Sequence, residues 1–593
     1  MDELIKLRSS KDIASGNFKF HIFDVHVEDS SVNNRQDEYG ITYNEYFTEQ
    51  VNEELFEDDR PKSTKIFTLK LFGVTSEGKS VCLHINDFEP YFYILMPSMW
   101  EKYEGSVLER KVDRFKDRLI SQVDKINSAM DFYKSPNIEI DIVQKQSLYW
   151  FDNKKKMRFM KMRFRNISDY YNTRKVFIDR ESRPIKVEVE PKVYQKMKMY
   201  EGNIEPMLKF FHEQDIKPCG WCVMNPRNYE NIYDEHRITT CNYELICSYK
   251  NIMPYECNDI APFITASFDI ECDSLHGDFP LAVKKYNKSA KDILEGYYST
   301  KDISNYHKDI YKRFLAMFGY KKNYCDIGMV SLKKGQQIPK KDKLQRIAGE
   351  CMDMCKHNQP KKELVERISN KLNKEFPLQK GDRVVQIGTT FRVGKKIVGG
   401  HIINLGGCND VPNTIVETTD NELELIIKWM EMVRSVDPDI ITGYNINGFD
   451  YDYIFHRLLE LKHIKTEKDI IFPGISRVNK EHKSIVKRLG SKYKYEVVSS
   501  AAMGDNINKY LTTFGRISMD LMKVIRKTYM SLESYKLDSV AASFMNGPVI
   551  TKEKYISENG KQLLRCNVKS CSDLKNREYV SFTDGETWIS PKY

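Results

Sequence analysis

No stretch of about 18 consecutive apolar residues occurs in this chain, so the sequence offers no membrane-spanning helix. The opening residues, Met1-Asp-Glu-Leu-Ile-Lys6, lack the apolar run of a signal peptide. Cysteine is present but unorganised: 13 residues, an odd number, scattered along the chain. That pattern does not build a disulfide framework and suits the reduced thiols of a cytosolic or nuclear protein. The one C-x-x-C spacing, Cys219-Gly-Trp-Cys222, has no second pair at zinc-finger spacing, because Cys241 and Cys247 are badly placed. A redox dithiol would need a thioredoxin-like context, which is missing too. Cys351 with Cys355, and Cys566 with Cys571, are weaker candidates still. Neither an internal repeat nor a low-complexity tract is found.

At 593 residues the chain is too long for one core, and about 100–200 residues per domain suggests three to five units. An apolar fraction of 41% is enough to bury them. Charged residues make up 30%, with a net charge of +9, compatible with a nucleic-acid partner without requiring one. Tyr and Phe, 35 and 30 of them, lie among Lys and Arg, a mixture that suits base stacking or, equally, ordinary cores.

Alternation predicts strands at Phe18–Val27, Lys65–Val74, Lys79–Ile85 and Asp87–Met96, then an amphipathic helix from about Ser106 to Phe132. The run from Lys154 to Arg165 interleaves Met and Phe with Lys and Arg. It reads as a strand with one cationic face, which either follows a phosphate backbone or simply meets water. Asn251 to Pro262 is a linker. From about 275 to 379 the composition turns Lys-rich, Tyr-rich and helical, as in a surface insertion. Strands resume at Arg383–Val393 and Lys396–Leu405, followed by a helix over Asp420–Ser435 with Leu423, Ile426, Ile427, Met430 and Val433 on one side. A strand pair is expected at Tyr495–Ala502 and Asn508–Phe514, and a helix from Leu521 to Tyr529. This order belongs to a mixed α/β sheet covered by helices.

One segment draws the chemistry together. In Ile264-Thr-Ala-Ser-Phe-Asp-Ile-Glu-Cys-Asp273, Ala266, Phe268 and Ile270 face a core while Asp269 and Glu271 share the opposite face. Two carboxylates side by side repel unless a cation lies between them or water surrounds them. Farther on, Asp437-Pro-Asp-Ile-Ile-Thr-Gly-Tyr-Asn-Ile-Asn-Gly-Phe-Asp450 is a short buried strand, a loop and an acid opening a helix. Asp450 serves there as an N-cap, contributing about 1 kcal/mol, or as a metal ligand brought to the sheet edge. Asn445 is placed to fix the loop.

These segments resemble the B-family, polymerase-delta-like DNA polymerases in their N-terminal and 3′–5′ exonuclease domains. Phe268-Asp-Ile-Glu-Cys272 is similar to the first exonuclease motif and Asp439 to Ile454 to the second. Gly515-Arg-Ile-Ser-Met-Asp-Leu521 and Ser534-Tyr-Lys-Leu-Asp-Ser-Val540 resemble the run towards the third. The likeness extends to Leu71–Ile85, Pro90–Tyr93, Tyr200–Ile204 and Cys219–Trp221, and its Lys-rich, Tyr-rich insertion resembles polymerases of large DNA viruses. The resemblance implies an α+β N-terminal domain over 1–262. It implies a mixed-sheet, ribonuclease-H-like exonuclease domain over 263–593, interrupted at about 275–379 and truncated at its C-terminal end. It implies two-metal hydrolysis with Mg²⁺ or Mn²⁺, held by Asp269, Glu271 and Asp450, Glu271 also orienting the attacking water. Asn445, Phe449 and Tyr535 are carried over as DNA contacts, and Phe449 and Tyr444 as packing near the primer end or as plain core. Implied partners are DNA, as a primer 3′ end and single-stranded template, and a C-terminal polymerase segment or chain; no membrane is implied. The implied location is intracellular, the host nucleus or a cytoplasmic viral replication site.

Two departures stand out. The family's third motif, Tyr-x-x-x-Asp on a helix, is not found between Tyr535 and Tyr593, and the palm signatures are absent. The expectation is therefore a polymerase's N-terminal part whose exonuclease is severely reduced alone, or an inactive DNA-binding scaffold.

Overall fold

Ile264–Cys272 forms the expected strand, with Ile264, Ala266, Phe268 and Ile270 buried and Asp269 and Glu271 exposed. It lies inside a six-stranded sheet in the computed structural model of the chain. The structure describes all residues except 37–41, 46–63, 128–134, 147–154, 180, 182, 275–278, 323, 325–328, 358, 467–474, 482, 501–503, 545–548, 558, 569–581, 584–587 and 590–593. Two compact units are present, Met1–Met519 and Asp520–Tyr593.

In the six-stranded sheet, Thr414–Thr419, Lys396–Leu405, Val384–Val393, Ile264–Cys272, Ile440–Gly443 and Ile517–Asp520 lie side by side in that order. The sheet is mixed: Ile264–Cys272 runs antiparallel to Val384–Val393 and parallel to Ile440–Gly443. Helices Glu422–Val436 and Asp450–Glu460 supply most of the apolar residues against it, among them Trp429, Val433, Ile454 and Phe455. Trp429 packs on Phe268, ring centres 4.7 Å apart, and its indole N–H donates to Thr389 Oγ1 at 3.1 Å. The ceiling beneath Asp269 is thus fixed by a large ring with its polar atom satisfied.

The N-terminal portion holds an eight-stranded and a four-stranded sheet. Its first strand, Phe18–Gln36, is longer than the apolar run suggests, because Thr64–Val74 pairs with it from His21 to Val32. The expected amphipathic helix is Gly105–Asn127; its last expected turn falls on residues 128–132, outside the described residues. The expected linker carries a two-residue strand, Met253–Pro254, pairing with Trp221–Met224.

The basic strand is Lys156–Phe164, and most of its cations are paired with carboxylates at the surface. Arg163 ion-pairs with Glu89, Glu139 and Asp141, Arg158 with Glu104, and Lys161 approaches Glu213. Of the two readings of this face, the phosphate-following one loses its free charge to these carboxylates.

The insertion is helical, as its composition suggests: Asn287–Ser299, Tyr306–Met317, Lys341–Cys355 and Lys361–Glu375 surround a separate apolar core. Cys351 and Cys355 point into that core, which explains their spacing without a metal. Cys222 is buried and Cys219 exposed, so the C-x-x-C pair is split between two surroundings. In the smaller unit, helices Leu521–Thr528 and Leu537–Phe544 precede a hairpin, Val549–Ile556 with Gln562–Val568. No helix among the described residues is long and apolar enough to cross a membrane.

Candidate active site at the edge of the mixed sheet

The second acidic segment is brought to the first by a loop that leaves little freedom. Gly443 ends its strand so close to the neighbouring one that a Cβ there would lie 2.6 Å from the carbonyl oxygen of Phe268. Asn445 adopts a left-handed backbone, φ +62°, a conformation that Asn tolerates better than most residues. Its carbonyl accepts from the amides of Gly448 and Phe449, both at 2.9 Å. A Cβ on Gly448 would meet the Asn445 side-chain oxygen at 2.3 Å, so a larger residue there would push that side chain aside. The expected role of Asn445 in shaping the loop is therefore visible in its backbone.

Asp450 follows as the first residue of its helix, and the position before it is Phe449. Its carboxylate accepts from the amide of Ile270 at 3.2 Å, and that amide also lies 3.1 Å from Asp269 Oδ1. The carboxylates of Asp269 and Asp450 thus share one donor. Burial raises the Asp450 pKa, and the charge of Asp269 beside it raises it further. Such a pair keeps a proton between its oxygens or takes up a cation in its place.

Glu271 points from the same face as Asp269, two residues along. It stays outside the tight contact: among the described residues, the one trio of ligand-type atoms all within 4.8 Å is Cys82, His84 and Glu244. There, Glu244 already accepts from the amides of Ile238 and Thr239 and the Thr239 hydroxyl, and pairs with His84 Nε2 at 2.9 Å. Burial alone would raise its pKa, but these partners hold it at about 2. That trio is a saturated buried acid–base pair.

Two features of the site were not legible as such in the sequence. Gly388 stands across from Asp269 in the register and puts no side chain beside it. Phe279, 71% exposed, packs its ring on Phe449 at 5.6 Å, and Phe449 continues to Tyr453 at 5.3 Å. An aromatic ladder thus stands beside the helix that Asp450 opens. Tyr535 lies in the smaller unit, where its hydroxyl donates to the Tyr529 carbonyl and Arg526 covers its ring.

Beneath the acids the strands are tied by buried charge. Asp439 accepts a bidentate pair from Arg8 at 3.0 and 2.7 Å, one bond from Arg477 at 2.8 Å and the amide of Ile264 at 2.8 Å. Asp437 accepts from Arg477 at 2.8 Å and faces Arg516 at 3.0 Å. Burial would raise the Asp437 pKa, but the three guanidiniums outweigh it and hold it low. Three cations face two anions, and burial pushes Arg516, the least well paired, down to about 10.

The shared proton gives a pH prediction. Folded Asp450 binds its proton more tightly than an unfolded Asp near pKa 3.9, so metal-free stability falls as pH rises above about 4. A divalent ion bound by the two carboxylates would take the place of that proton. The thermal stabilisation produced by Mn²⁺ is therefore expected to grow with pH, read by differential scanning fluorimetry; a pH-independent shift contradicts the coupling.

Comparison with known proteins bears on the same segments. The family model for "DNA polymerase family B, exonuclease domain" matches residues 197–289 and 365–540, on either side of the helical insertion. A DNA polymerase of Pyramimonas orientalis virus is 34% identical over 525 residues, covering 82% of this chain and 41% of the relative. A DNA polymerase of Phaeocystis pouchetii virus is 28% identical over 613 residues, covering 89% of this chain and 56% of the relative. The DNA polymerase delta catalytic subunit of Drosophila melanogaster is 25% identical over 487 residues, covering 80% and 33%. The chain thus spans about half or less of the length of these relatives. With this match on both sides of its insertion, and relatives similar to it over four fifths of its length, the chain carries the exonuclease domain of the family B DNA polymerases.

Proposed function

We propose that this chain is the N-terminal and exonuclease portion of a DNA-directed DNA polymerase, and that it removes nucleotides from a DNA 3′ end. The observation that carries the reading is the Asp269–Asp450 pair, two carboxylates on one amide whose repulsion a cation relieves. On this reading residues 1–262 are the N-terminal domain, and 263–593 a ribonuclease-H-like exonuclease domain interrupted at about 275–379.

Asp269, Glu271 and Asp450 offer only oxygen donors, which suits Mg²⁺ or Mn²⁺. Two such ions, when bound, stabilise the attacking and leaving oxygens of an in-line displacement at phosphorus. The chain's own part is placement. The Ile264–Cys272 strand holds Asp269 and Glu271 at one spacing, and the Asn445 loop delivers Asp450 to them. Gly388 leaves the space across from Asp269 open, and Glu271, free of the paired acids, is positioned to orient water. Phe449, backed by Phe279, gives the terminal base an aromatic surface, where stacking is worth about 1–3 kcal/mol per base. Template single strand and a C-terminal polymerase segment or chain complete the set of partners, in an intracellular setting.

A second reading, a DNA-binding scaffold without catalysis, is favoured by Glu271 standing outside the Asp269–Asp450 contact, so that no trio of acids is gathered there among the described residues. The two separate on a 5′-labelled single strand incubated with the purified chain and Mg²⁺. The exonuclease reading expects a ladder shortened stepwise from the 3′ end that stops with EDTA. A strand that is bound and left intact supports the scaffold.

A further inference from the structure

The net positive charge of the chain is concentrated in one place. Residues 281–380 contain 23 Lys and Arg against 11 Asp and Glu, a net +12 in a chain of +9, so everything else sums to −3. The candidate active site adds no attraction of its own for a polyanion, since it is built from carboxylates. Long-range steering of a nucleic acid therefore falls to the insertion.

Within the insertion the charge divides again. On Lys341–Cys355 and Lys361–Glu375 the acids Glu350 and Glu375 neutralise Arg346, Lys371 and Lys343. Around two tyrosines the cations outnumber the acids: Asp309 accepts from the Tyr324 hydroxyl and pairs with Arg313, and the lysines nearby remain in excess. Tyr320 donates to the Pro339 carbonyl at 3.1 Å, which brings residues 320–322 beside Lys340 and Lys341. Lys341 lies 5.4 Å from the Tyr320 ring centre, and Lys321 and Lys312 lie 4.8 and 5.8 Å from that of Tyr324. Lys312, Lys321, Lys322, Lys340 and Lys341 are all exposed, and none has a carboxylate within salt-bridge distance among the described residues. Tyr320 itself is 42% exposed.

The insertion is also firmly joined to the site's elements. It leaves from the carboxyl end of the strand bearing Asp269 and Glu271 and returns at the start of Val384–Val393. Its two crossings are bonded to each other, Asp382 N to Leu281 O at 2.9 Å and Leu281 N to Asp382 Oδ2 at 3.0 Å. A Cβ on Gly381 would lie 1.9 Å from the Ala282 carbonyl oxygen, so no larger residue fits the crossing. Lys333 pairs with Glu460 at 3.1 Å and Arg457 donates to Ala282 O at 3.2 Å, both from the helix that Asp450 opens.

We propose that the insertion is a DNA-holding module, in which the lysines around Tyr320 and Tyr324 grip the phosphodiester backbone outside the exonuclease centre. This rests on the reading that the chain acts on DNA, and extends it to a surface that the family-model match skips. Each phosphate neutralised releases counterions, giving a slope of log K against log salt of about −0.9 per contact on duplex and about −0.7 on single strands.

The test uses the full chain in EDTA with fluorescent single-stranded and duplex DNA, comparing wild type with the quadruple variant K321Q/K322Q/K340Q/K341Q. The expected result is at least a tenfold weaker Kd and a salt slope shallower by about 3, from four lost contacts. The arm with the larger change identifies which form of DNA is held. Unchanged affinity and slope in both arms overturn the proposal. Failure of the exonuclease reading would instead show as Mg²⁺-dependent shortening indifferent to Asp269→Ala, with the lysine result unaffected.

Discussion

Asp450→Asn is expected to make the metal-free protein more stable while removing nearly all nuclease activity. In the wild type, the Asp450 carboxylate is buried and faces Asp269 across the Ile270 amide. The amide side chain of D450N keeps an oxygen to accept from Ile270 and replaces the shared proton by a fixed N–H donor towards Asp269. Near pH 8 that relieves the repulsion and is expected to stabilise the fold by roughly 1–3 kcal/mol, since each pKa unit is worth about 1.4 kcal/mol. The same change removes one anionic ligand. Losing several kcal/mol of charge stabilisation at phosphorus slows cleavage on the order of 10²–10⁴-fold. Urea unfolding at two pH values and single-turnover cleavage measure the two effects. A variant that is both less stable and fully active would refute the paired-carboxylate account. Opposite signs of stability and function at one residue mark strain held for a task.

The second large effect lies beneath the site. Arg477→Ala is expected to cost about 3–5 kcal/mol of stability, the penalty for leaving a buried charge unpaired. Arg477 is fully buried and satisfies both Asp437 and Asp439, together with the carbonyls of Asp437 and Gly515. Asp439 in turn binds the first amide of the Ile264–Cys272 strand, so the loss is felt where Asp269 and Glu271 are held. Replacing Arg8 should cost less, because Arg477 still serves both acids. Urea unfolding compares the two, and a loss under about 1 kcal/mol for Arg477→Ala would mean that the buried knot is relaxed by water.

How much of this was readable beforehand follows from the range of each interaction. Period-two burial in Ile264–Cys272 is local, so the inward Ala266, Phe268 and Ile270 and the outward Asp269 and Glu271 could be assigned from the strand alone. The strand–loop–helix around Asp450 is local as well, but its expected place as the N-cap is not what forms: Phe449 holds the cap position, and the Asp450 carboxylate accepts from the Ile270 amide, 180 residues away in sequence. The helical character of the insertion follows from its composition. By contrast, the buried knot joins Arg8 to Asp439 across 431 positions, and nothing in the neighbourhood of either residue announces the other. The Lys156–Phe164 strand shows the same limit from the other side. Its cations suggested a phosphate surface because the carboxylates that neutralise Arg163 come from three separate positions. Phe279 on Phe449 was hidden for the same reason, a contact spanning the whole insertion.

The claim that Asp269 and Asp450 act as one metal centre is tested most directly by single-turnover cleavage of a single strand with Mg²⁺. The rates to compare are those of the wild type, Asp269→Ala, Asp450→Asn and the double variant. Residues that serve as a unit are grossly non-additive. Each single variant is expected to lose nearly the full rate, and the double variant to be no slower than either. Single losses that multiply in the double variant, or a wild-type rate that Asp269→Ala leaves unchanged, would contradict it.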